Sequence, residues 1–98
     1  MKWDACIASP ATSAGAFIVT TKPALFYGIS ASGSANNTFI NVHNSPNTGG
    51  AKVFMIEAVA TTVTNDSTMV PIVCGSGITA TNIGTVTNYI IFYSVLKV

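Results

Sequence analysis

The chain has no arginine and only seven charged side chains: Lys2, Asp4, Lys22, Lys52, Glu57, Asp66 and Lys97, 7% of its 98 residues. Soluble domains average about 25%. Four scattered lysines and a formal net charge of +1 make no basic stripe, and phosphates are not gathered without one, so a nucleic-acid partner is excluded. Cysteine is scarce as well. Cys6 and Cys74 are too few for a disulfide scaffold; they read as two buried thiols, with a pairing between them as the alternative. No run reaches the ~18 continuous apolar residues of a membrane span. The apolar run over residues 89–98 has the length of a strand. Met1-Lys2-Trp3-Asp4 fails as the start of an export signal: Asp4 interrupts the basic end, and Ser9-Pro10-Ala11-Thr12-Ser13 breaks any apolar segment. The expected site of synthesis is therefore a cytoplasm.

Material for catalysis is short too. A nucleophilic mechanism needs a Ser or Cys beside a base that a third group orients. The chain offers one histidine, His43, and three acids, with no ligand spacing for a metal. The expectation is a protein that is not an enzyme and carries no cofactor. Gly75-Ser76-Gly77-Ile78-Thr79-Ala80 matches a dinucleotide fingerprint in letters alone. No helix follows it and no acid stands about 20 residues on, so it reads as a turn between strands. Asn36-Asn37-Thr38 and Asn65-Asp66-Ser67 match glycosylation acceptors, as chance provides in a chain this rich in such residues.

Short uncharged polar residues stand where the charges are missing: 13 Thr, 9 Ser and 8 Asn. They suit strands and turns, and a surface made of them meets another protein without stripping water from many ions. That composition points to life in an assembly. The apolar residues alternate. Thr38 to His43, a turn cluster over residues 44–50, and residues 51–60 read as a hairpin, with Ile40 and Val42 on one face and Phe39, Asn41 and His43 on the other. Strands are also expected over residues 16–21, 24–31, 69–74 and 86–95. Pro71 places the third of these four at an edge or bend, and residues 78–84 read as a short extended piece or wide loop. On residues 24–31, Leu25, Tyr27, Ile29 and Ala31 share a face opposite Phe26, Gly28 and Ser30. In the last strand Tyr89, Ile91, Tyr93 and Val95 oppose Ile90, Phe92 and Leu96. A strand apolar on both faces is central in a sandwich or covered by a partner.

The expected fold is all-β: a single antiparallel β-sandwich, jelly-roll-like, over residues 15–98, with an extended N-terminal arm over residues 1–14. Trp3 in the arm either plugs its own domain or anchors in a neighbour. Trp3, Phe17, Phe92 and Tyr93 are the candidate interface residues.

One resemblance runs through the turn glycines and strands Tyr27-Gly28-Ile29-Ser30, Thr38 to Asn44, Gly49-Gly50, Val70-Pro71-Ile72, Gly75-Ser76-Gly77-Ile78 and Tyr89 to Tyr93. Over residues 16–95 the chain resembles small β-sandwich proteins of tailed-phage virions, those that decorate capsids or form short fibres. The resemblance implies a capsid decoration (cement) subunit in the virion, a homotrimer on the major capsid protein or another virion protein, with no catalysis. It transfers no site residues. The alternative expectation is a fibre or adhesin module whose loops over residues 32–37 and 44–50 hold a glycan or host surface.

Overall fold

A computed structural model of the chain describes residues 2–8, 15–47 and 49–97, with the backbone course alone at 2–8, 96 and 97. Eight strands follow one another: β1 (Lys2–Ala8), β2 (Gly15–Thr20), β3 (Ala24–Gly33), β4 (Thr38–Asn44), β5 (Ala51–Ala58), β6 (Val63–Cys74), β7 (Ile78–Asn82) and β8 (Val86–Lys97). They form two four-stranded sheets, ordered β1-β8-β3-β6 and β2-β7-β4-β5, and every ladder is antiparallel.

The order follows from folding the chain once at its middle. β4 pairs β5, β3 pairs β6, β2 pairs β7 and β1 pairs β8. This long hairpin, rolled so that β8 also meets β3 and β7 also meets β4, is the double-sheet jelly roll. The expected sandwich is therefore present, and the hairpin around residues 44–50 is its centre. Residues 2–8 of the stretch expected as an arm run as β1, from Lys2 opposite Lys97 to Ala8 opposite Ile91. Residues 9–14 lie outside the described residues.

The alternation seen in the sequence sets the inner face. Ile40 stands opposite Ile56 and Val42 opposite Phe54 on the second sheet. Ile29 stands opposite Ile91 and Ala31 opposite Tyr89 on the first. These side chains, with Phe26, Ile78 and Ala80, form one buried cluster between the sheets. β8, apolar on both faces, lies between β1 and β3, with Tyr89 and Ile91 fully inside and Phe92 exposed on the outer face. The faces expected for β3 need a correction. A bulge between Phe26 and Gly28 shifts the ladder to both neighbours. A bulge advances the side-chain alternation by one residue, so Phe26, Ile29 and Ala31 are buried while Tyr27 is exposed.

Two glycines let backbones close in. At the end of β3, Gly33 donates its N–H to Val59 O at 2.9 Å and accepts from Thr61 N at 3.2 Å. A Cβ there would stand 2.6 Å from Ala58 O and 2.9 Å from Val59 C. Backbone cannot yield as a flexible side chain does, so Gly33→Ala is expected to destabilise the fold by ~1–3 kcal/mol. That is a melting point lower by about 4 °C or more, read by thermal unfolding; an unchanged midpoint would refute the close approach. Gly28 is the second: a Cβ would meet Asp66 O at 2.6 Å and Ser67 Cα at 2.9 Å, so β6 rides close over β3 at that point.

Candidate interaction surfaces

Successive crossings of a roll put its loops at alternate ends. At one end Ser34 Oγ donates to Thr85 O (3.1 Å), Asn37 Oδ1 accepts from Ala60 N (2.8 Å) and Asn82 Nδ2 donates to Gly84 O (3.2 Å). At the other Ser45 N donates to Gly77 O (3.1 Å) and Asn44 Oδ1 accepts from Ser76 N (3.0 Å). The two loops proposed from sequence to hold a glycan, residues 32–37 and 44–50, thus sit at opposite ends and cannot form one site. Gly75-Ser76-Gly77 is a turn closed by Gly77 N to Cys74 O at 3.3 Å, with Gly77 at φ +113°. A strand follows it, so no helix N-terminus stands there to hold a pyrophosphate.

The loop after β4 folds back on the second sheet and accounts for His43. Its Nδ1 lies 3.2 Å from Gly50 O. A carbonyl only accepts, so Nδ1 carries the proton and Nε2 takes the long 3.5 Å contact from the Thr81 hydroxyl. Thr79 Oγ1 donates to Ser45 O at 2.9 Å and is fully buried. Two polar side chains of central strands are thereby satisfied by the loop that covers them. Cys74 is a free buried thiol, and burial pushes its pKa above the ordinary 9.0. Among the described residues no three His, Cys, Asp or Glu side chains converge as metal ligands, and no helix is long and apolar enough to cross a membrane.

The four candidate interface residues are dispersed. Phe17 lies half-buried on the edge strand β2, opposite Ala80. Tyr93 faces inward and packs against the core. Trp3 holds a place in β1 opposite Leu96. Phe92 alone of the three with described side chains stands outward, 39% exposed.

Around Phe92 the first sheet has a hollow that sequence spacing cannot show. Phe92 of β8, Gly28 of β3 and Ser67 of β6 share one row across three strands. Beside that row a cavity of about 200 Å³ opens, lined by Tyr27, Gly28, Ile29, Asn65, Asp66, Ser67 and Phe92. The Tyr27 ring is held on its outer face: Ser94, itself buried, donates its hydroxyl to Tyr27 Oη at 2.9 Å. A glycine in mid-strand flanked by aromatics was the one available signal, since such glycines mark bulges or close approaches.

Next to the hollow the β6 edge leaves the sheet. Ile72 pairs with Phe26 and Ser67 with Gly28, so residues 68–71 of β6 stand against Tyr27 alone. Pro71, which has no N–H to give a ladder, sits in this bulge, as its expected place at an edge requires. Thr68 pins it, its hydroxyl donating to Tyr27 O (3.1 Å) and to Phe26 O (3.4 Å). Met69 at the tip is fully exposed, and Val70 is 75% exposed.

The fold and these surfaces define the chain as a compactly rolled eight-stranded jelly roll. No protein-family model, curated protein or solved structure matches it.

Proposed function

We propose that the chain is a virion structural protein, a capsid decoration subunit that acts by packing against other proteins and catalyses nothing. Its expected state is a homotrimer on the major capsid protein or another virion protein, made in the host cytoplasm. The observation that carries this reading is the surface. Seven charges are spread over the whole chain, while ten large hydrophobic side chains among the described residues, Met69, Val70, Val73 and Val63 included, stand exposed. Burying such a surface costs little ion desolvation and gains ~25 cal/mol per Å² of apolar area. Jelly rolls serve in capsids and also in lectins, and a fold alone does not choose between them. Light scattering on the purified chain at micromolar concentration tests the reading: the expected mass is three times 10.1 kDa, and a well-behaved single-chain species refutes it.

One observation favours the second reading, a glycan-binding module. The hollow brings Phe92 and Tyr27 beside Asn65, Asp66 and Ser67, the aromatic-plus-polar grouping that the end loops lack. Specific binding on a glycan array, lost in Phe92→Ala, would put this reading first.

A further inference from the structure

We infer that β6 is the edge by which copies of this chain join, with the Met69–Val70 tip of one copy seated in the hollow beside Phe92 of the next. The inference rests on the assembly reading above and names its contact. Four strands lie at sheet edges: β1, β6, β2 and β5. Edges in monomers are guarded by charge, brevity or bends. β5 exposes Lys52 and Glu57, β1 includes Lys2 and Asp4, and β2 has six residues. β6 has twelve residues, Asp66 as its one charge, and four of the ten exposed large hydrophobics. It is the edge least defended against a second chain and, among the described residues, the richest in apolar side chains that water has to cover.

Its bend makes a feature of its own. A bulge that merely blocked pairing would be served by polar residues; this one lifts Met69 and Val70 clear of the sheet, and Thr68 holds it in place. A projecting group ordered in advance loses little entropy on docking. The hollow is its counterpart in size and chemistry. At about 200 Å³ it is smaller than the ~300–1,000 Å³ of small-molecule sites, and its walls are mainly carbon, which suits one or two aliphatic side chains better than a hydroxylated ring. A tip in a neighbour's hollow is either returned across a two-fold axis or carried on head to tail into a closed ring; the ring of three is the arrangement that matches the proposed trimer. The edge also has room for such a contact. Twelve strand residues extend for about 40 Å, and a strip as wide as the 18 Å short axis offers roughly 700 Å², close to the ~800 Å² per partner of a standard interface.

The test is light scattering and sedimentation on the full chain across a concentration series. Wild type should have the trimer mass. Met69→Asp combined with Val70→Asp should weaken association by at least about 100-fold while keeping its β circular dichroism and a cooperative melt. Met55→Asp, on the outer face of the other sheet, should keep the wild-type mass. Ser67→Trp, which fills the hollow from its exposed rim, should dissociate the trimer like the tip variant and serves if that variant does not fold. Wild type assembled with both the tip and hollow variants equally assembled would overturn the β6 contact and leave the assembly reading standing. A single-chain wild type would end both. Glycan binding that needs Phe92, in a trimer indifferent to the tip variant, would assign the hollow to a sugar and overturn the inference.

Discussion

Replacing Tyr89 by phenylalanine is expected to leave the fold at least as stable at neutral pH and to lessen its loss of stability between pH 10 and 12. Tyr89 is 1% exposed on the central strand β8, and its hydroxyl is buried with no hydrogen-bond partner among the described residues. A buried hydroxyl without a partner costs about 1–3 kcal/mol, and removing it from a ring of the same shape recovers part of that cost. Burial also disfavours the phenolate, which raises the Tyr89 pKa from 10.0 to about 12. The sign follows. The unfolded chain gives up the phenolic proton near pH 10, whereas the folded chain keeps it to about pH 12. Stability from this group is whole below pH 10 and is lost as pH rises through that window. Two pH units correspond to ~3 kcal/mol. Denaturant midpoints at pH 8, 10, 11 and 12 should therefore fall more steeply for wild type than for Tyr89→Phe. The remaining tyrosines and lysines are common to both proteins and cancel in the difference. Parallel curves would refute the assignment.

Phe26→Ala should cost ~3–5 kcal/mol, about a fifth or more of the 5–15 kcal/mol that holds a typical domain together. Phe26 is fully buried on β3 of the first sheet. Its ring meets Phe54 of the second sheet at 5.1 Å between centroids and 51° between planes, within the range of favoured tilted aromatic pairs. Truncation removes apolar contact and opens a cavity between two sheets whose strands are fixed by their ladders, so the space cannot easily collapse. The melting point should drop by more than about 12 °C. Phe92→Ala is the control: its side chain stands on the outer face, and its loss in an isolated chain should cost under ~1 kcal/mol. Equal losses for the two variants would mean that the inner and outer faces have been exchanged.

The faces that the sequence revealed are those where alternation runs unbroken. Ile40 and Val42 on β4, and Tyr89 and Ile91 on β8, lie inside as their spacing requires. So does the central hairpin, whose turn cluster is closed by its own side chains: Asn47 N donates to Ser45 Oγ and Gly49 N to Asn47 Oδ1. Alternation failed on β3, because a bulge changes the parity of everything after it and nothing local marks it except Gly28. Asn65 and Asp66, residue types that favour turns, lie in β6, since an edge strand has one open side and tolerates such residues. Residues 78–84 read as a short extended piece or a wide loop, and residues 78–82 are strand β7 although Thr79, Thr81 and Asn82 are polar. Thr79 and Thr81 are met by the loop after β4 and by His43, an arrangement that only the fold creates. The hollow is the extreme case. It gathers residues 27–29, 65–67 and 92, and no spacing along the chain relates them.

The position of β8 governs the order in which the molecule can be completed. The first sheet has β8 between β1 and β3, yet β8 is the last strand to leave the ribosome. Until residues 86–97 emerge, β1 has no neighbour to bond, and the inner side of β3 lacks half its ladder. The hairpin of β4 and β5 closes over a handful of residues, and each pairing outward from it bridges a longer stretch of chain, so the loop-closure cost rises towards the ends. The roll should consequently grow outward from its middle and finish in one late step. A nascent chain halted just short of Val86 should remain sensitive to protease along β1 and β3, while the β4–β5 ladder has no such dependence on the last strand.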